Sequence, residues 1–410
     1  MNAADMPGVR NLRVLFIHQS SDLYGSDRVL RDLVRALLAE GAEPIVVLPG
    51  GGPLVEVLRT DGAETHAVDA AQLLKLSRAS TSPRGLARLL AGTRASLRAL
   101  DQVVHGRRVH LVHSNTLAVL AGALWARSRG VRHAWHVHEI VEQPRPAAWL
   151  FPRLVRLTAD EVVCNSHATL RWLTATQPAL LRRSCVIWNG IESPAAANQA
   201  PDPALHALFR PAGTRLAIGL VGRVNRWKGH DVLLAAAQLL HERGVRDFSL
   251  VFVGSAPPGQ EHLMDELRQR VAASPLARRV VLHGFVPDTL PAMRALDVIC
   301  VPSTLPEPSG LVAVEAMAAS RPVIASACGG LVEVLGDSTA GSLVAPGNAP
   351  ALAECLRVLL GDAQQRGAMG RAGRARFESC FTGAAMSERF VSLVARACLQ
   401  DTAQSARVHT

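Results

Sequence analysis

Two α/β sandwiches, each a parallel sheet covered by helices on both faces, are the fold class this sequence predicts. Three observations carry the expectation. Short apolar runs rich in β-branched residues alternate with helix-length stretches along nearly the whole chain. The runs show no in/out alternation, which is the pattern of strands buried on both faces. They also fall into two series, parted by residues 193–213, a stretch rich in Pro and Ala and poor in periodicity. At 410 residues the chain is too long for one ordinary core and suits two or three domains.

In the first series strands are expected at 14–17, 45–48, 109–113, 134–138 and 161–164, separated by helices such as 26–39 and 117–128. In the second they are expected at 216–221, 249–253, 280–283, 298–301 and 322–325, with helices such as 231–243 and 260–272 between them. After Pro346 the pattern is helical to about Leu399, without further strands. The resulting organisation is an N-terminal domain over 1–192, a linker over 193–213 and a C-terminal domain over 214–380. A helix over 381–402 packs back on the first domain, and 403–410 form a tail. Open parallel sheets bind ligands outside the carboxyl ends of their strands, so two facing sheets would place the site in the cleft between them.

The composition narrows the partners. Lys and Arg total 44 against 34 Asp and Glu, and only two of the 44 are lysines, Lys75 and Lys228. The net charge of +10 points to an anionic partner. A single tyrosine and the lack of an aromatic array argue against a nucleic-acid stacking platform. No apolar run approaches the roughly 18 residues of a bilayer span, and no secretory leader pattern is seen, so a cytoplasmic protein is expected. The seven cysteines never fall as C-x-x-C, which speaks against structural zinc or a disulfide framework and favours core thiols.

Four segments carry chemistry. The strongest is Glu307-Pro308-Ser309-Gly310-Leu311, running to Glu315, where a loop after a strand opens a helix. The amides around Ser309, Gly310 and Leu311 suit a phosphate, and Glu315, one turn in, can accept hydrogen bonds from hydroxyls of the same ligand. An ordinary helix with a solvated glutamate is the plain alternative, weakened by the order strand, loop, Gly, helix. The second is Gly219 to Gly229, a strand ending at Gly222 and a basic loop in which Arg223 and Lys228 can clamp a diphosphate, with a solvated basic loop as the plain alternative. No P-loop or G-x-G-x-x-G pattern occurs. The third, Ser20 to Leu30, is a strand-to-helix turn with Gly25 just ahead of the helix, whose amides can meet an anion, with Asp22 or Ser26 as an ordinary N-cap the plain alternative. The fourth is Trp135-His136-Val137-His138-Glu139. Its two histidines share a strand face, but no third ligand is spaced to complete a metal site, so a metal-free role for His138 is favoured.

Together these segments resemble the glycosyl transferases group 1, the retaining glycosyltransferases of family 4. The E-x7-E element matches at Glu307 and Glu315, and G-R-x5-K-G at Gly222, Arg223, Lys228 and Gly229. The N-terminal G-G-x-E-R-x-L pattern appears as Tyr24-Gly25-Ser26-Asp27-Arg28-Val29-Leu30, and N-G-[IV]-[DE] as Asn189-Gly190-Ile191-Glu192. The resemblance covers roughly 12–377. It implies a GT-B fold of two facing Rossmann-like domains and transfer of a hexose-type sugar from a nucleotide diphosphate sugar, with retention and without a metal or other cofactor. Glu315 would hold the donor ribose and Glu307 the transferred sugar. Arg223 and Lys228 would neutralise the diphosphate with amides at Gly25, Ser309, Gly310 and Leu311. His138 would lie beside sugar and acceptor, and His283 and Phe285 would flank the base. Tyr24 departs from the family's first glycine, Ser309 from an aromatic and Ser320 from a glycine.

On the acceptor side, Arg84, Arg88, Arg94 and Arg98 fall on one arc of a helix with Leu86, Leu89, Leu90, Leu97 and Leu100 opposite, which fits an anionic membrane surface, with an ordinary solvated surface helix as the equal alternative. Trp149, Leu150, Phe151, Arg153 and Arg156 add an aromatic and basic lip. A polysaccharide or lipid-linked glycan is therefore the expected acceptor, and peripheral attachment to the inner face of the cell membrane the expected location. Two other readings are a nucleotide-sugar epimerase of similar fold and a non-catalytic sugar-nucleotide-binding subunit. The presence of both glutamates ranks the second low.

Overall fold

The structure, a computed structural model, describes residues 8–69, 73–74, 83–194, 200–336 and 339–408, with side chains outside 83–91, 212 and 400–408. The chain divides into two compact units, residues 1–189 with 383–410, and residues 190–382.

The first unit runs β1 (Arg13–Ile17), α1 (Gly25–Ala39), β2 (Glu43–Pro49), α2 (Pro53–Thr60), β3 (Glu64–Val68), α3 (Pro83–Val104), β4 (Leu111–Ser114), α4 (Ala121–Arg129), β5 (His133–Val137), α5 (Arg145–Thr158), β6 (Glu161–Cys164), α6 (His167–Thr176) and β7 (Ser184–Val186). Its strands form one seven-stranded sheet in the order β3-β2-β1-β4-β5-β6-β7, every pairing parallel. β1 (RVLFI) and β4 (LVHS) sit at its centre, and all but Arg13 of these side chains are buried. That double burial is why their sequences do not alternate.

The second unit contains α7 (Pro203–Leu208), β8 (Leu216–Val221), α8 (His230–Glu242), β9 (Phe248–Val253), α9 (His262–Ala272), β10 (Val280–His283), α10 (Leu290–Ala295), β11 (Val298–Val301), α11 (Leu311–Ala318), β12 (Val323–Ser326), α12 (Leu331–Leu335), β13 (Gly341–Val344), α13 (Ala349–Gly361) and α14 (Ala363–Cys380). Its six strands are ordered β10-β9-β8-β11-β12-β13, again all parallel. The core on one face joins Leu233, Ala236, Ala237 and Leu240 of α8 to Phe248, Leu250 and Phe252 of β9 and to Leu352 and Leu356 of α13.

The chain returns to the first unit as α15 (Gly383–Val408). Met386, Phe390, Leu393 and Val394 of that helix enter the same core as Phe16, Leu30 and Leu33. Phe390 meets Phe16 at 6.2 Å and the His113 ring at 5.1 Å between centroids. Burying such side chains contributes about 1.5–3 kcal/mol each, so the C-terminal helix is part of the first unit's core.

Several sequence expectations need correction. Strands β3, β7 and β13 were not expected. The 193–213 stretch expected as linker holds α7, and Phe209 within it is fully buried. Asp202 caps that helix, accepting from the Ala204 and Leu205 amides at 2.8 and 3.1 Å. The segment 403–410 expected as a tail is helical to Val408. The cap of α1 is neither Asp22 nor Ser26: Tyr24 occupies the N-cap. Of the seven free cysteines Cys164, Cys300 and Cys398 are buried, and Cys185 and Cys355 pack partly buried against the cores, so the core-thiol expectation holds for most of them.

Candidate active site

Each sheet reverses strand order once, between β1 and β4 in the first and between β8 and β11 in the second. The loops that leave the carboxyl ends of those strands are where open α/β sheets hold ligands. His18 and Asn115 in the first unit, and Lys228 and Glu307 in the second, lie on such loops.

In the second unit β8 ends at Val221, and the basic loop follows it to α8. Asn225 folds the loop, its Oδ1 accepting from the amides of Trp227 and Lys228 at 3.2 and 2.9 Å. Gly229 follows at φ 78°, and a Cβ there would lie 1.9 Å from the Pro302 carbonyl oxygen, so only glycine fits. The loop is thereby seated against the end of β11. From it Lys228 reaches across to Glu307, Nζ to Oε1 at 2.6 Å, and lies 4.5 Å from the centre of the Trp227 ring. Ser303 Oγ donates to the same Glu307 oxygen at 2.6 Å. The Glu307 and Lys228 side chains are 7% and 16% exposed, which makes this a charge-assisted pair largely out of water.

The Glu307 backbone is fixed with equal care. Gly330 N donates to its carbonyl at 2.6 Å. Gly329, at φ 59°, comes so near that a Cβ would sit 2.1 Å from the Glu307 oxygen. Gly310 caps α11 in the left-handed conformation. The amides of Ala313 and Val314 already use the Gly310 carbonyl, so the amides before them are not spent inside the helix. Glu315 lies in this helix and is buried. Arg223 lies on the same loop and is exposed. His283 stands at the end of β10 with its ring 5.8 Å from that of Phe209, and Phe285 is 45% exposed beyond it. The neighbouring His230 imidazole is lowered to about 4 by burial and by the Lys228 charge.

In the first unit His18 follows β1, Asn115 follows β4 and His138 follows β5. Asp27, in the first turn of α1, accepts from the Tyr24 amide through Oδ2 at 2.8 Å and meets His18 Nε2 through Oδ1 at 2.6 Å. Asn115 Nδ2 lies 3.2 Å from His18 Nδ1, and Asn115 Oδ1 lies 3.2 Å from His138 Nε2. Sequence reasoning placed His138 in the site but missed His18, Asn115 and Asp27 as its support, and Ser303 beside Glu307. Gly25 opens α1, one residue after the cap and two before Asp27.

The histidines expected to share a face do so, the His136 and His138 rings lying 4.0 Å apart and His113 packing edge-on at 5.4 Å. Burial lowers His113 and His138 to about 3, and His136 well below the usual range. Glu139 is raised to about 7 by burial, opposed by hydrogen bonds from the amides of Leu117 and His138. Among the described residues no group of three His, Cys, Asp or Glu is arranged to hold a metal.

Of the basic helix, Arg94 and Arg98 are exposed, while the side chains of Arg84, Arg88, Leu86, Leu89 and Leu90 lie outside those described. The aromatic lip is on α5, where Trp149 and Leu157 are 57% and 65% exposed. There the Arg153 guanidinium stacks 3.8 Å above the Trp149 ring.

Comparison with known proteins agrees with this geometry. Residues 24–193 match the family model Glycosyltransferase Family 4, and residues 215–362 match Glycosyl transferases group 1. A 2-deoxystreptamine glucosyltransferase of Streptomyces kanamyceticus is 33% identical over 283 residues, 65% of this chain and 71% of its own. An alpha-maltose-1-phosphate synthase of Mycolicibacterium smegmatis is 30% identical over 322 residues, 72% and 81% of the two chains. Among solved structures, Anabaena Alr3699/HepE in complex with UDP-glucose has a TM-score of 0.77 at 22% identity, covering 94% of this chain and 100% of that one. That likeness is one of fold, and the two parallel-sheet units and helical C-terminal segment expected of a GT-B protein are present. With two relatives aligned over more than two thirds of their length, and both family models falling on the units that carry the site, the chain belongs to the glycosyl transferases group 1 and is a glycosyltransferase.

Proposed function

We propose that the chain transfers a hexose-type sugar from a nucleotide diphosphate sugar, with retention of configuration and without a metal or other cofactor. The observation that carries this reading is the Lys228–Glu307 pair. A cation suited to a leaving diphosphate is held in advance on the carboxylate suited to the transferred sugar, beside the amino end of α11. A departing nucleotide diphosphate needs stabilising positive charge more than it needs a nucleophile. Donor entry would transfer Lys228, joined by Arg223 and the amides of Ser309, Gly310, Leu311 and Gly25, to the phosphates. Glu307 would then be free for sugar hydroxyls, a positioning role and not that of a glycosidase nucleophile. Glu315 would take the ribose, His283 and Phe285 would flank the base, and His138 would serve the sugar and acceptor. The UDP-glucose bound by Anabaena HepE supports this class of donor.

A thermal-shift screen of nucleotide diphosphate sugars tests the reading, since a ligand at 100 times its Kd adds about 2.7 kcal/mol to stability. At least one donor is expected to raise Tm, and Lys228→Ala to abolish the shift. No shift from any donor, with the chain folded, refutes it.

The acceptor we infer is a polysaccharide or lipid-linked glycan reached from an anionic membrane surface. Support comes from the exposed Trp149, Leu150 and Leu157 on α5, set among Arg145, Arg153 and Arg156, and from Arg94 and Arg98 on α3. No described helix is long and apolar enough to cross a membrane. Flotation with vesicles containing anionic lipid is expected to carry the protein up, and Trp149→Ser with Leu157→Ser to prevent it; equal recovery with neutral vesicles would sink the membrane proposal. The relatives named for 2-deoxystreptamine and maltose-1-phosphate favour a second reading, with a small polar acceptor.

A further inference from the structure

The groups that hold His138 form a chain of hydrogen bonds with a defined direction. Asp27 is 1% exposed, and its Oδ2 is already occupied by the Tyr24 amide. Its Oδ1 faces His18 Nε2 at 2.6 Å, and a carboxylate there accepts, so His18 Nε2 carries the hydrogen. In the neutral ring His18 Nδ1 is then a bare acceptor. It faces Asn115 Nδ2, the donor end of the amide, at 3.2 Å. The amide orientation has a second support: the same Nδ2 lies 3.5 Å from the Ser26 carbonyl oxygen, which can only accept. Asn115 Oδ1 is thereby turned to His138 Nε2 at 3.2 Å, and an amide oxygen requires a donor opposite it.

We infer that the buried Asp27–His18 pair, acting through Asn115, fixes the tautomer of His138, so that Nε2 carries the hydrogen and Nδ1 presents its lone pair. Nδ1 has no hydrogen-bond partner among the described residues, and His138 is only half-buried, so this lone pair is the part of the ring left for a ligand. The relay joins four residues on three loops and α1. Other titratable groups face the ring without interrupting the chain. His136 stacks on it, His113 lies behind His136 and beside the Asn115 side chain, and Glu139 accepts from the His138 backbone amide and not from the imidazole. Asp27, His18 and Asn115 are positioning residues in this scheme.

The inference rests on the proposed reading of His138 only where a loss of turnover is expected; the tautomer itself is tested without it. In full-length protein labelled with 15N-histidine, the His138 signals are assigned by their loss in His138→Gln. The wild-type spectrum at pH 7.5 is expected to show a protonated Nε2 and a bare Nδ1. In Asp27→Asn the side-chain oxygen stays with the Tyr24 amide, and the new NH2 donates to His18 Nε2. His18 then carries its hydrogen on Nδ1, the Asn115 amide turns over, and His138 changes to the Nδ1–H tautomer. Turnover by this variant should fall roughly 10- to 100-fold, as for other outer partners of a working histidine, with donor KM unchanged. A protonated Nδ1 in the wild type overturns the inference, whether or not Asp27→Asn folds, and so does an unchanged His138 spectrum in folded Asp27→Asn. The expected tautomer in a chain that binds no nucleotide sugar would instead refute the donor reading and leave the relay standing.

Discussion

Lys228→Ala is expected to lower sugar transfer by about 100- to 1000-fold, the loss seen when one preorganised donor to developing negative charge is removed. The effect has two parts, which the Lys228–Glu307 pair allows to be separated. Removing the lysine withdraws positive charge from the leaving diphosphate. It also leaves Glu307, 7% exposed, with only Ser303 on its Oε1, and breaking such a buried pair costs about 3–5 kcal/mol of stability. The double variant Lys228→Ala with Glu307→Gln removes the stranded charge and should regain most of that stability. It should regain none of the turnover. Kinetics of nucleotide diphosphate release, read beside denaturant unfolding of both variants, check the two parts independently. Near-normal turnover by Lys228→Ala would sink the assignment of this residue and with it the proposed donor site.

Why Lys228 and Glu307 were legible in the sequence, and His18 was not, follows from how each pair is built. The basic loop and the E-x7-E segment are each continuous in the chain and bounded by glycines, so their residue types and spacing can be read locally. Their contact spans 79 residues but joins two segments already marked out. The His138 relay has no such local sign. Asn115 meets His18 across 97 residues and His138 across 23, and each of the three lies in the first positions after a strand that otherwise reads as core. Only the sheet order, which puts β4 between β1 and β5, brings them together.

The fold divides in the same manner. Central strands such as Glu161–Cys164 and Leu216–Val221 are buried on both faces and stood out as apolar runs. The missed strands β3, β7 and β13 are all edges, the first reading ETHAV and the second only three residues long. Edge strands are kept short and polar because an apolar edge invites pairing with another chain. The same logic hid α7, whose capping aspartate and buried Phe209 are visible only once the stretch is known to pack.

The first unit is expected to be acid-labile, with stability falling as pH drops below about 6.5 and the chain unfolding well before pH 4. His113 and His133 are held near 3, and His136 lower still, each by burial. Their unfolded value is about 6.5. A group whose folded value is depressed lets the unfolded chain bind the proton first, so stability is full above the unfolded value and is lost as pH falls toward the folded one. At pH 5 the loss is about 2 kcal/mol for each histidine, and three of them approach the 5–15 kcal/mol total of an ordinary domain. Glu139, raised to about 7, acts in the opposite sense, since the folded state keeps its proton between about 4.5 and 7; it is one group against these three and His138, which burial also lowers to about 3. The decisive variant is His113→Phe. Both His113 ring nitrogens are buried without a hydrogen-bond partner, and its neighbours are Phe16, Phe390 and the His136 ring. A phenyl ring suits that company and cannot take up a proton. The variant should narrow the gap between unfolding free energies at pH 7.5 and pH 5 by about 2 kcal/mol, the share of one such group. An unchanged gap would mean that the acid sensitivity, if present, does not come from these buried rings.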